Sequence, residues 1–124
     1  MDAAFIESYY QTYNSEDPAA LSAYYHEDVV LASASGEQQG VQAIIDTYRF
    51  LIGQFHDQMT PDSITIDGDT AVVEITDVFT AKKDVDDFMG QSLKAGQSFE
   101  LKLRGTYKVV DGKFKRIDIE MLGQ

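Results

Sequence analysis

The chain contains no cysteine, and it carries 10 basic residues against 21 acidic ones. Without thiols there is no disulfide, no thiolate nucleophile and no zinc–thiolate site. The same lack fits a reducing compartment, so a cytoplasmic protein is expected. The formal net charge of −11 repels phosphate backbones and anionic membrane surfaces, so neither nucleic acid nor membrane is expected as a partner. No apolar run approaches the roughly 20 residues of a membrane helix. The opening "MDAAFIESYY" has no basic segment ahead of an apolar run, and no signal peptide is expected. Histidine is scarce too. His26 and His56 lack any H-x-H or H-E-x-x-H spacing, and the carboxylates are scattered, so no metal site is expected.

What is present describes a folded domain. Apolar residues make up 44% of the 124 and aromatics 11%, enough for a single core, and one domain over 1–124 is expected. Residues 2–14 read as a helix capped by Asp2. Phe5, Ile6, Tyr9 and Tyr13 share an arc of about 100°, with Tyr10 at its edge and half exposed. A second helix starts at Asp17 and Pro18, and Leu21, Tyr24 and Tyr25 share its face. "DVVLAS" reads as a strand and "SGEQQG" as a turn. A third helix over about 41–56 carries a stripe from Val41 through Ile44, Ile45, Tyr48 and Leu51 to Phe55, with Phe50 opposite.

After Pro61 the period changes to two. "SITI", "TAVVEITDVFTA", "QSFELKLRGTYKVV" and "FKRIDIEML" read as four strands, joined by "DGD", by the polar loop "KKDVDDFMGQSLKAG" and by "DGK". Helices first and an antiparallel meander afterwards imply an α+β domain with helices on one face of a curved sheet.

In this order the segments "YYQTYNSEDPAALSAYYHEDVVL", "GVQAIIDTY" and "FMGQSLKAGQSFELKLRGTYKVVDGKFKRI" resemble the nuclear transport factor 2-like superfamily. Within it the chain resembles the SnoaL-like polyketide cyclase and ketosteroid isomerase group, over almost its whole length. The resemblance implies a cone-shaped, cystatin-like fold: a bent sheet wrapped around a long helix, with an apolar pocket at the open end. It also implies a homodimer formed through the outer sheet face, an apolar small molecule as ligand, and no cofactor. Members of the group include isomerases, cyclases, hydrolases and pure binding modules, so fold alone does not assign a reaction.

Asp77 is the main candidate for chemistry. Ala71, Val73, Ile75, Asp77 and Phe79 share one strand face. A carboxylate between Ile75 and Phe79 is costly to bury unless paired or neutralised. The resemblance points this face into the pocket, where desolvation raises a carboxyl pKa towards neutrality. If the strand is turned over, Val72, Glu74, Thr76 and Val78 line the core instead. Tyr9 falls where ketosteroid isomerases carry the tyrosine of their oxyanion hole; as a plain core tyrosine it would bond backbone or water. The isomerases' general base falls on Ser33 and their second oxyanion acid on Gly105, and neither side chain keeps that role. Asp118 and Glu120 lie opposite the apolar face of Ile117 and Ile119.

The expected site therefore has Asp77 as acid/base and Tyr9 as oxyanion donor. Tyr13, Ser33 and Tyr48 orient a ligand, and Phe79, Leu103 and Ile117 line its pocket. The expected function is a cofactor-independent isomerase or cyclase, working by proton transfer on an apolar carbonyl compound. The alternatives are a binding module with the same pocket, or a dimerisation domain in which Tyr9, Tyr13, Tyr48 and Phe99 fill it.

Overall fold

A computed structural model of the chain describes residues 1–88 and 90–122. Three helices, α1 (Ala3–Asn14), α2 (Pro18–Ser22) and α3 (Val41–Gln54), come early. The strands are β1 (Tyr25–Ser33), β2 (Gly36–Gln39), β3 (Phe55–Asp67), β4 (Thr70–Ala81), β5 (Val85–Phe88), β6 (Gln91–Leu93), β7 (Ser98–Val110) and β8 (Lys113–Met121). Six of them form one curved sheet in the order β2-β1-β8-β7-β4-β3, and β5 pairs with β6 separately. The architecture is α+β, a cone of mostly antiparallel sheet around the helices. One pairing departs from the expected meander: β1 runs parallel to β8. Among the described residues no helix is long and apolar enough to cross a membrane.

Local chemistry explains the element ends. The Asp2 carboxylate accepts from the Phe5 amide at 3.0 Å and starts α1. Asp17 caps α2 through the Ala20 amide, with Pro18 in its first turn. At the β7–β8 hairpin Asp111 and Gly112 have φ of 55° and 76°, the positive pair that a two-residue turn of matching twist requires.

Further departures from the sequence reading include Tyr25, which opens β1 instead of extending α2, and the "SGEQQG" turn, part of which forms β2. Tyr10 is 1% exposed rather than half exposed, because Tyr107 of β7 closes over it. The third helix stops at Gln54 and β3 begins at Phe55, well before Pro61. Proline is tolerated inside β3 because β3 is the edge strand and its register with β4 shifts between Pro61 and Ser63. The stretch expected as a polar loop folds back as the β5–β6 hairpin, which buries Val85 and Leu93. Met89 of the "FMG" motif lies outside the described residues.

The core is continuous from helices to sheet. Ile6, Tyr9 and Tyr10 of α1 and Ile44, Ile45 and Tyr48 of α3 join Val73, Ile75, Leu101, Leu103, Tyr107, Phe114 and Ile117 in one cluster. On β4 the alternate residues Ala71, Val73, Ile75, Asp77, Phe79 and Ala81 are buried, whereas Glu74 is exposed. The strand therefore turns its Asp77 face inward.

Candidate functional site

A cavity of about 590 Å³ opens between α1, α3 and the sheet. Its walls are apolar, from Met59, Phe79, Phe88, Leu101 and Leu103, with Leu51 and Phe50 of α3 on the helix side. Into this wall project two carboxyls, Asp57 of β3 and Asp77 of β4.

Strand register brings them together. Asp57 lies opposite Phe79, and Asp77 opposite Met59. The two acids are therefore diagonal neighbours on one sheet face. Both are nearly inaccessible, at 2% and 1%. The Tyr13 hydroxyl donates to Asp57 Oδ2 at 2.7 Å, and the Tyr48 hydroxyl donates to the Tyr13 carbonyl at 2.5 Å. These contacts tie α1, α3 and β3 together behind the acid pair. Oδ1 of Asp57 and Oδ1 of Asp77 have no hydrogen-bond partner among the described residues.

The electrostatics divide the pair. Burial pushes the Asp77 carboxyl well above the ordinary carboxylate range, and the adjacent Asp57 pushes it further. Burial raises Asp57 as well, but the Tyr13 hydroxyl, and Asp77 when it carries a proton, hold it down in part. Two carboxylates side by side in a buried site repel each other strongly. A single shared proton removes that repulsion and satisfies the two orphaned oxygens. In that state Asp77 carries the proton and Asp57 the charge. Burial and the Asp57 charge also raise the Tyr13 phenol well above its ordinary value, so Tyr13 remains a donor.

Of the residues singled out from the sequence, Asp77, Tyr13, Ser33, Phe79 and Leu103 all line this cavity. Tyr9, Tyr48 and Ile117 do not; they line an adjoining recess of about 220 Å³, together with Tyr25 and Tyr107. The expected position of the Tyr9 hydroxyl thus needs correction. It pairs with the Tyr25 hydroxyl at 2.7 Å, and Tyr9 lines the recess rather than the large cavity. The cause is β1, which begins at Tyr25 and turns that phenol inward to meet α1. Phe50, expected opposite the buried stripe, is 62% exposed and stands at the cavity rim. Arg116 holds Asp118 and Arg104 holds Glu120, at exposed positions. The exposed His56 meets the half-buried Glu16.

Asp57 is the residue that the sequence reading missed. It sits in "FHDQMT", next to a helix end and without an apolar run. The available signal was the alternation of Phe55, Asp57 and Met59, three residues of one strand face.

Comparison with known proteins follows the same outline. The family model described as SnoaL-like domain matches residues 6–117. A putative polyketide cyclase from Xanthomonas campestris pv. campestris superposes with a TM-score of 0.81 at 20% identity, over 94% of this chain and 87% of that one. AclR, a putative hydroxylase from Streptomyces galilaeus, gives 0.78 at 21% identity, over 95% and 76%. An M. tuberculosis LEH-like epoxide hydrolase gives 0.77 at 16% identity, over 96% and 80%. At these identities the likeness is one of fold. No curated protein matches the chain significantly.

Proposed function

The chain belongs to the SnoaL-like domain family, and from that premise we propose that it is a cofactor-independent enzyme acting by proton transfer on an apolar, carbonyl-bearing small molecule, as an isomerase or cyclase. The observation that carries this reading is the buried Asp57–Asp77 pair on the wall of an apolar cavity. A singly protonated pair offers both halves of acid–base chemistry at once. The Asp57 carboxylate takes a proton from the carbon next to the carbonyl. Asp77 gives its own proton to the carbonyl oxygen as the enol forms. One C–H and one O–H bond break, two O–H bonds form, and the pair keeps a single negative charge. Because no net charge builds up, the step does not depend on the Tyr9 hydroxyl. Tyr13 acts through Asp57, fixing its orientation and favouring its charged form. Ser33 contributes a neutral hydroxyl for orienting the ligand, while Phe79 and Leu103 supply apolar contact. Tyr48 supports Tyr13 from behind, and Ile117 closes the recess.

The direct test is hydrogen–deuterium exchange at the α-carbon of a panel of apolar cyclic ketones. The intact protein is expected to catalyse exchange, with Asp57→Asn and Asp77→Asn each reducing the rate by roughly 10²-fold or more. Binding without exchange would instead favour a non-catalytic ligand-binding module. A homodimer formed through the outer sheet face is part of the same proposal.

A further inference from the structure

The cavity holds two acids, and among the described residues that line it and its recess none is Lys, Arg or His. Several cations are engaged on acids outside the cavity: Lys82 on Glu16, Arg104 on Glu120, and Arg116 on Asp118 and Glu37. Inside the cavity Asp57 and Asp77 are 2% and 1% exposed, and each turns an Oδ1 that no group satisfies among the described residues. Two carboxyls sharing one proton hold one net negative charge. The walls around it, including Phe79, Phe88, Leu101 and Leu103, offer nothing to screen that charge.

An anionic ligand entering this space would lose its hydration, find no counter-ion and meet a like charge. A neutral ketone avoids all three costs. A cation gains attraction to the acid pair and to the faces of the phenylalanine rings.

We propose that the cavity takes uncharged or cationic apolar molecules and excludes anions, so that the substrate is a free ketone and not a carboxylate, a phosphate ester or a conjugate of an acidic carrier. This rests on the acid–base reading only for the identity of the reacting group; the selection by charge stands on the cavity lining. It also orders the chemistry around the protein. Whatever reaction supplies the substrate must already have removed or neutralised an acidic handle.

The test uses three probes of one ring size: tetralone (neutral), naphthylmethylamine (cationic) and naphthoate (anionic). Each is titrated into the full chain at neutral pH and followed by protein-observed NMR. Tetralone and the amine are expected to bind on the order of tenfold or more tightly than naphthoate. In Asp57→Asn, which removes the charged member, the gap should shrink several-fold. Asp77→Asn keeps a carboxyl at Asp57 and should preserve it. Should Asp57→Asn not fold, the intact chain and Asp77→Asn still decide the matter. Equal binding of naphthoate and tetralone overturns the proposal. So does failure of all three probes to bind, or a gap unchanged in folded Asp57→Asn. Exchange at the tetralone α-carbon is measured in parallel. Discrimination without exchange supports charge selection and removes the acid–base reading. Exchange without discrimination overturns charge selection and leaves that reading standing.

Discussion

Asp77 carries a stability consequence separate from any catalysis. Its carboxyl is raised in the folded protein by burial and by Asp57. The folded state therefore holds a proton at pH values where the unfolded chain has lost it, and unfolding releases that proton. The resulting stability is fully present below the ordinary carboxyl pKa and is lost as pH rises through the raised value. Melting temperature is thus expected to fall from mildly acidic towards alkaline pH. Asp77→Asn should flatten that slope and raise stability at neutral pH, on the order of 2 kcal/mol. Thermal melts of both proteins across pH check this; a parallel slope in the variant contradicts it. The tyrosines divide by partner. Tyr13→Phe removes the donor to Asp57 and should lower exchange activity more than Tyr9→Phe or Tyr10→Phe. The latter two each strand one hydroxyl of a buried phenol pair, at about 1–3 kcal/mol of stability. Paired measurements of exchange rate and urea midpoint separate the two kinds of loss. A Tyr9→Phe defect in exchange equal to that of Tyr13→Phe would return Tyr9 to the reacting centre.

At the scale of elements, β7 shows why one residue is glycine. A Cβ on Gly105 would come within 2.7 Å of the Tyr107 ring and 3.0 Å of its hydroxyl. Two positions along the same strand face, Tyr107 folds back over the gap and reaches the Tyr10 hydroxyl at 2.6 Å. Gly105→Ala is expected to displace that phenol and cost about 1–3 kcal/mol, as overpacking does in a filled core. The tyrosine ring resonances in NMR spectra should shift with it; unchanged resonances and stability would mean that β7 relaxes freely at this point. The same element scale accounts for the acid pair. Neither β3 nor β4 makes a site alone. Their antiparallel register sets Asp57 beside Asp77, and a slip by one residue would send the shifted strand's acid to the outer face.

The whole molecule raises the matter of its outer sheet face. Glu74, Lys102 and Glu100 are exposed there, with Val72, Thr76 and Val78 half-buried between them. Lys102 donates to the Thr76 hydroxyl, which in turn donates to Asp62, and Arg104 meets Glu120. A face of this kind, β-rich and cross-paired, suits a second copy of the chain. Light scattering at micromolar concentration is expected to give twice the 13.8 kDa of one chain. A monomer mass would remove the dimer from the proposal.

Much of the fold was legible along the chain because its signals are local. Caps at Asp2 and Asp17, the helical stripe from Val41, the period-two runs and the Asp111–Gly112 turn each act within a few residues of sequence. Asp77 was legible for the same reason, as an acid interrupting the long apolar strand face from Ala71 to Phe79. Tertiary structure alone decided its partner. Asp57 is polar, lies in a polar stretch and is 20 positions away, and only the β3–β4 register sets the two acids beside each other. Tyr9 likewise has the right angle on its helix for a ligand. Which hydroxyl it meets depends on where β1 begins, and that is set by the parallel pairing of β1 with β8, the two strands lying at opposite ends of the chain.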